Sequence, residues 1–342
     1  MPLKTLIKAE ALKLGFVVCG VILPTQPETF SAYQAWIEAG FQADMGFLAR
    51  PQSLSARQNP ASLLPGCRSI LCVGLPYPAP SPSVATSQPG KGAIAAYALL
   101  PDYHIVLKTK LELLGARLSE LAGRAVCSRA CVDTAPILEK DAARRAGLGW
   151  IGRNSLLNAP GYGSYLFLGE LLTDLELPPD APLPGDPCAN CRLCVDACPT
   201  QALRPNRSVD ARRCLSYLTI EHRGAIPPEL RPKLGRRVFG CDTCQSVCPL
   251  NRGIREGTES AAVISGFPDL LEEFSFSEAE WKAKYRATPV MRAGFAGYRR
   301  NLAIALANSR PPGAARALQA ALESERAPEL RETLLWALAQ LG

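Results

Sequence analysis

The stretch CANCRLCVDACP, from Cys188 to Pro199, and its shorter echo CDTCQSVCP, from Cys241 to Pro249, decide what this chain is built around. The first reads Cys-x2-Cys-x2-Cys-x3-Cys-Pro. Three thiolates at two-residue intervals let one loop fold around a cuboidal iron–sulfur cluster. The fourth, three residues on and followed by proline, ligates the other cluster in two-cluster proteins. The second stretch supplies Cys241-x2-Cys244-x3-Cys248-Pro249 and lacks one cysteine of the run; Cys214 lies upstream to fill that place. The reciprocal assignment puts Cys188, Cys191, Cys194 and Cys248 on one 4Fe–4S cluster, and Cys198, Cys214, Cys241 and Cys244 on the second. Structural zinc also favours paired CxxC spacing, but it needs neither two x3-Cys-Pro endings nor eight cysteines in this order.

The rest of the composition agrees with metal ligation. Among 342 residues there are 13 cysteines and a formal net charge of +7. That length holds two or three domains with a sizeable core. Cluster spacing in a chain of ordinary composition points to a reducing compartment rather than a disulfide framework. Cys19, Cys67, Cys72, Cys127 and Cys131 show no ligand spacing. Cys127-x3-Cys131 is either a redox-active pair or two reduced thiols at a strand edge. No apolar run approaches the ~20 residues of a membrane span. Leu14 to Leu23 reads as a buried strand rather than a signal peptide, and no twin-arginine start is present. A cytoplasmic monomer with no membrane contact is expected.

Two clusters make an electron path, so the remaining chain must hold another cofactor or a docking partner. With only 2 histidines, His104 and His222, a three-histidine metal site is excluded and a Ser-His-Asp triad is poorly supported. No GxGxxG is present, so a Rossmann nucleotide site is unsupported. Asp102-Tyr103-His104 begins like a D-x-H-x-x-G corrinoid motif and fails at the glycine. Gly147-Leu-Gly-Trp-Ile-Gly152 reads as a loop of close backbone approach. Asp133, at a strand end beside Cys131 and Pro136, has two readings. Desolvated, its pKa would rise and it would serve as a general acid; alternatively it caps the helix that starts near Ile137.

Periodicity organises the chain as α+β. Helices are expected at 3–14, 30–50, 102–122 and 138–146. Strands are expected at 16–22, 69–75, 92–98, 125–132 and 165–172, the second ending at a proline-rich loop, PYPAPSP. The run LPPDAPLPGDP at 177–187 marks a boundary, and 251–266 a linker. Helices at 277–286, 296–308, 311–323 and 327–341 read as a small HEAT-like array. Three domains follow: residues 1–177, 178–255 with the clusters, and 256–342.

From Trp281 to Leu322 there is no Asp or Glu, while Lys284, Arg286, Arg292, Arg299 and Arg300 fall in the same stretch, interleaved with Tyr285, Phe295 and Tyr298. A one-sign face of this kind binds phosphates, and its aromatics would stack on unpaired bases. The alternative is a solvated basic face over core aromatics. A second basic run spans Arg231 to Arg237. Reversing Arg299 and Arg300 is then expected to weaken nucleic-acid binding.

The order Tyr97, Asp102-Tyr103-His104, Val132-Asp-Thr-Ala-Pro136, Gly147-Leu-Gly-Trp-Ile-Gly-Arg-Asn154 and the two cysteine groups resembles the epoxyqueuosine reductases over nearly the whole chain. The resemblance implies a nitroreductase-like cobalamin-binding domain, a bacterial-ferredoxin-like two-cluster domain and the helical tail. It implies reduction of the epoxide of epoxyqueuosine at the tRNA wobble position, the last step to queuosine. Electrons would pass from an external low-potential donor through the clusters to cobalamin and its cobalt. It implies that Asp133 is the proton donor and that Arg57, Tyr97, Asn154, Ser155 and Ser164, with Asp133, line the cobalamin. It also implies that the tail meets the anticodon stem-loop. Gly152-Arg-Asn-Ser155 departs from the family's usual Gly-Lys-Asn-Thr but keeps a basic group and a hydroxyl. Two other readings stand beside it: another corrinoid iron–sulfur reductase related to dehalogenases, and a non-catalytic electron-transfer module.

Overall fold

The computed structural model describes residues 1–79, 90–255 and 262–342. The PYPAPSP loop and the expected linker both run partly outside these described residues. In chain order the first part comprises α1 (Leu3–Lys13), β1 (Val18–Ile22), α2 (Phe30–Glu38), α3 (Pro51–Gln58), β2 (Ser69–Pro76), β3 (Ala93–Ile94) and α4 (Tyr103–Ala122). It continues with β4 (Ser128–Cys131), α5 (Glu139–Arg145), β5 (Trp150–Ile151), β6 (Leu157–Asn158) and β7 (Leu166–Thr173). The cysteine region carries α6 (Leu193–Asp196), α7 (Leu215–Ile220), α8 (Arg231–Leu234), β8 (Arg237–Phe239) and α9 (Thr243–Ser246). The last part carries α10 (Leu270–Phe274), α11 (Glu278–Tyr285), α12 (Gly294–Ser309), α13 (Ala314–Ser324) and α14 (Pro328–Ala339).

β2 is buried along its whole length and β7 nearly so, a pattern that needs cover on both faces of a sheet. The two pair antiparallel at the centre of a four-stranded sheet ordered β1-β2-β7-β4. On one face, Ile7 and Ala11 of α1 and Leu107, Leu111, Leu114 and Leu118 of α4 pack on Val73 and Leu171. Ile105, at the start of α4, is 63% exposed. On the other face, Ala142 and Ala143 of α5, with Leu148 and Leu157, cover Ile70, Cys72, Cys131 and Leu172.

Two expected elements differ, and three short strands were not expected. The helix at 30–50 stops at Glu38, because Gly40 and Ala43 both take positive φ (68° and 53°). Only Ala93–Ile94 of the strand at 92–98 pairs, in parallel with β8. The Asp242 carboxylate accepts the Ala96 N–H at 2.7 Å, which turns the chain into a 3-10 segment at Ala96–Leu99. The hairpin β5-β6 and strand β8 are two or three residues long, too short to leave a periodic signature.

The β3–β8 pair joins the first part to the cysteine region, and the C-terminal helices close over it. Ile94, Ala98, Val238 and Phe239 share one core with Leu302, Ala303 and Leu306 of α12 and Leu330 and Leu334 of α14. Asn301 fixes α12 there, donating to the carbonyls of Thr219 and Val238 at 2.8 and 2.9 Å. No helix among the described residues is long and apolar enough to cross a membrane.

Candidate active site and cluster cradle

The cysteine loops fold so that the thiols meet in two adjoining groups. Burial raises the Cys194 and Cys248 thiols; Cys188 and Cys248 add to it at Cys194, and Cys188 and Cys191 at Cys248. Burial likewise raises Cys214 and Cys244, with Cys241 and Cys198 adding at Cys214, and Cys241 and Cys214 at Cys244. Cys194 of the first group also acts on Cys244 of the second, so the two groups adjoin. Backbone donors help hold the sulfurs: the Ala202 N–H reaches Cys198 Sγ at 3.3 Å. A mononuclear zinc site draws its ligands onto one point; a cubane carries each thiolate on its own iron and keeps the thiols apart. Among the described residues, no three His, Cys, Asp or Glu side chains converge as one ion requires.

The Cys248 loop is keyed to the first part through Gly163 and Ser164. A Cβ at Gly163 would lie 1.9 Å from Asn251 Oδ1, so only glycine allows the contact. Asn251 Oδ1 then accepts the Ser164 N–H at 2.7 Å, and the Ser164 hydroxyl reaches Gln245 Oε1 at 3.1 Å. The close-approach reading of residues 147–152 also holds: a Cβ at Gly149 would stand 2.2 Å from the Asn158 carbonyl.

Asp133 leaves the end of β4 with φ +35°, a left-handed value that non-glycine residues seldom adopt. Glu139 Oε1 accepts its N–H at 2.6 Å. Asp133 Oδ2 accepts from the Tyr103 hydroxyl at 2.9 Å and lies 3.1 Å from His104 Nε2. His104 Nδ1 lies 2.7 Å from Asp102 Oδ1, and the Asp102 carboxylate also caps α4. An imidazole whose two nitrogens each face a carboxylate is an imidazolium, donating twice. The Asp133 hydrogen bond accordingly raises the His104 pKa; burial opposes it and Asp102 reinforces it.

The sequence expectation of a raised Asp133 pKa is reversed. Burial pushes it up, but the hydrogen bonds from His104 and Tyr103 and the charges of His104 and Arg292 outweigh burial and leave it lowered. The two shifts together favour an ionised Asp133 and a protonated His104. The helix-cap reading is also displaced, since Leu138 precedes α5 and no side chain caps it. Asp133 has 55% of its side chain exposed, yet burial is the largest influence on it. It is reached by water but ringed by protein, as on the wall of a cleft. The same holds for Lys140, exposed but with its pKa lowered by burial, which donates to the Ser155 carbonyl at 2.8 Å. Glu139 beside them is pushed up to about 8 by burial and then by the Asp133 charge.

Of the other expected cofactor contacts, Tyr97 stands edge-on to Tyr103, ring centroids 6.2 Å apart, its phenol raised by burial and by the Asp242 and Asp133 charges. Asn154 is buried, with Oδ1 accepting from the Leu156 N–H and Nδ2 without a partner among the described residues. Ser155 takes φ +61°. Arg57 is buried on α3, donating to the Ser53 carbonyl with its guanidinium 5.4 Å from the Tyr33 ring centre. The sequence gives Glu139 and Lys140 no role, and Tyr103 and His104 none in proton transfer. The string Asp102-Tyr103-His104 was visible, but its pairing with Asp133 spans about thirty residues and appears only in the fold. Cys131 is buried, its thiol pushed up to about 12 by burial and then by Glu170, which removes the redox-pair reading.

The basic tail divides. Arg300 is buried, donating to the carbonyls of Leu218, His222 and Gly224 and to Asn301 Oδ1. Burial, then the Arg223 charge, pushes its pKa down to about 10. It is a strut, not a phosphate contact, so the expectation for its reversal is withdrawn: Arg300→Glu should destabilise the fold by about 3–5 kcal/mol, seen as a lost or strongly lowered unfolding midpoint. Tyr285 and Tyr298 are also core residues, bonded to each other at 2.9 Å and to the buried Glu273 carboxylate, and are closed to bases. Lys284 pairs with Glu273, Arg299 with Glu325 and Arg292 with Glu221. Arg286 is exposed with no partner among the described residues.

Comparison with known proteins gives one answer. Residues 187–251 match the family described as a 4Fe-4S double cluster binding domain, and residues 57–134 match the family described as epoxyqueuosine reductase QueG, DUF1730. The epoxyqueuosine reductase of Pseudomonas aeruginosa is 39% identical over 343 residues, 98% of this chain and 94% of that protein. A Bacillus subtilis epoxyqueuosine reductase, solved with its catalytic aspartate loop swung out of the active site, superposes with a TM-score of 0.86 at 30% identity, covering 99% of this chain and 90% of that one. An epoxyqueuosine reductase solved with an epoxyqueuosine-modified tRNA-Tyr stem loop superposes at 0.84 with 29% identity, covering 99% and 98%.

Proposed function

This chain belongs to the epoxyqueuosine reductase family, and from that premise we propose how its own residues carry the reaction. The enzyme reduces the epoxide of epoxyqueuosine in tRNA to queuosine, with electrons passing through two 4Fe–4S clusters. The observation that carries the chemical assignment is the hydrogen-bonded Tyr103–His104–Asp133 cluster.

The residues around the cleft fit cobalamin. Asn154 Nδ2 is a buried donor with no protein partner, and Tyr97 offers a phenol held protonated; both suit a ligand rimmed with amide carbonyls. Cobalamin, when bound, supplies the reduced cobalt that acts on the substrate, charged one electron at a time by the clusters. His104 holds a proton at Nε2, against Asp133 Oδ2. Asp133 passes it to the departing epoxide oxygen as the C–O bond opens, a general-acid role that needs no raised carboxyl pKa because the imidazolium supplies the proton. Tyr103 donates to the same Asp133 oxygen, Oδ2, and fixes the carboxylate there. The activity should fall as pH rises through the elevated His104 pKa, since deprotonation empties the site of its proton; a rate that keeps rising through pH 9 would contradict this.

We assign the domains at 1–177, 178–255 and 256–342, the first nitroreductase-like and the last HEAT-like. We place the enzyme in the cytoplasm, acting as a monomer with a low-potential electron donor. Arg286 and Arg292, with Lys284 and Arg299 beside them, form the basic margin to which the anticodon stem-loop binds. Arg292 acts on Asp133 electrostatically, which brings that margin to the cleft mouth.

The ligand assignment is tested by Cys248→Ser. It removes the one thiolate the second loop gives to the first cluster, so iron content should fall by about half while the second cluster's electron paramagnetic signal remains. Full iron content would break the reciprocal scheme.

A further inference from the structure

Removing an epoxide oxygen as water breaks two C–O bonds, forms one C=C bond and two O–H bonds, and consumes two electrons and two protons. The low-potential donor supplies the electrons through the clusters. The His104–Asp133 pair holds one proton. The source of the second is unassigned, and a cleft filled by cofactor and tRNA admits little water.

Glu170 lies at the centre of β7, opposite Cys72 on β2 and Cys131 on β4. It is 0% exposed in a strand otherwise made of Leu, Phe, Gly and Thr. Neither carboxyl oxygen has a hydrogen-bond partner among the described residues. Cross-strand neighbours share a face, so Glu170 points with Cys72 and Cys131 to the side that α5 covers. Glu139 stands at the start of that helix, holding the Asp133 N–H. Among the described residues, no cation pairs with Glu170. On α5, Arg145 donates to the Leu23 carbonyl and Thr25 Oγ1 and pairs with Asp141, and Lys140 donates to the Ser155 carbonyl. On β4, Arg129 donates to the Leu63 carbonyl.

We propose that Glu170 and Glu139 form a proton store behind the sheet that reloads Asp133 with the second proton of the reaction. An ionised carboxylate without partner or counter-charge is too costly at such a site, so Glu170 is a neutral acid. Burial, then the Glu139 and Asp133 charges, keep it so, and Glu139 itself titrates at about 8. An unpartnered buried carboxyl calls for bridging water, and that water links Glu170 to Glu139. After Asp133 has delivered the His104 proton, Glu139 gives its proton to Asp133, and Glu170 keeps its own proton and shares it with the Glu139 anion through the bridging water. The oxygen leaves as water, and solvent refills the store when the product departs. A residue serving packing alone would be apolar here.

This rests on the cleft being the site of epoxide reduction, so the test has an arm independent of turnover. Infrared difference spectra in H2O and D2O should show a protonated carboxyl C=O band in the wild-type protein above pH 7, with and without cobalamin, and its loss in Glu170→Gln. Turnover of Glu170→Gln should fall about 10-fold, with iron, cobalt and tRNA affinity unchanged and a larger solvent deuterium isotope effect. Glu139→Gln, on the accessible cleft wall, should slow turnover as much while the Glu170 band persists, and covers the case in which Glu170→Gln does not fold. Absence of the band in wild type, or unchanged turnover and isotope effect in either folded variant, overturns the proposal. A band present in a protein that reduces no epoxide would instead overturn the site's function.

Discussion

Asp133→Asn should lower turnover by about 10²–10⁴-fold, the range for loss of a positioned acid or base, while iron content, cobalt content and tRNA affinity stay at wild-type levels. Asparagine keeps the shape and one acceptor oxygen, so Tyr103 or His104 retains a partner and the turn at φ +35° is preserved. What is lost is the anion. Asp133 is the first cause of the raised His104 pKa, so the imidazole should release its proton at lower pH in the variant. The loss is therefore double: no carboxylate to carry the proton and less proton on His104. Single-turnover assays with nucleoside mass spectrometry measure the first, and imidazole chemical shifts against pH the second. Normal turnover with a shifted His104 titration would make the pair a structural clasp.

The double variant Arg286→Glu and Arg292→Glu should bind the tRNA stem-loop about 10–100-fold more weakly at low salt and show a shallower dependence of log K on log salt. Arg286 is exposed and free of partners among the described residues, and Arg292 has 53% of its side chain exposed despite its pair with Glu221. Neither supports the core, so the unfolding midpoint should hold, in contrast to Arg300→Glu. A salt slope equal to wild type would place the RNA on another face.

The contrast between the two arginines shows where the sequence stops being informative. The tail lacks acids between Trp281 and Leu322, yet four of its cations pair with acids outside that window. Glu278 takes Lys282, Glu273 takes Lys284, Glu221 takes Arg292 and Glu325 takes Arg299. A linear charge run cannot show partners that folding brings from elsewhere, nor that Tyr285 and Tyr298 turn inward to Glu273. The double-cluster region is legible because loop spacing is local, and the proposed place of Cys214 rests on the one gap in the second run. The long elements are legible for the same reason: β2, α4 and β7 carry their burial in their own periodicity. Asp133 was legible as a strand-end carboxyl, but its protonation was not. That is set by Tyr103, His104 and Arg292, none of which is near it in sequence.

The most direct test of the central claim is anaerobic turnover. Protein reconstituted with iron, sulfide and cobalamin is given a strong one-electron reductant and a tRNA stem-loop carrying epoxyqueuosine, and the nucleosides are weighed. Loss of one oxygen that requires both cobalamin and intact clusters is the expected result. Conversion without cobalamin, or none with cobalamin bound and both clusters reduced, would contradict it.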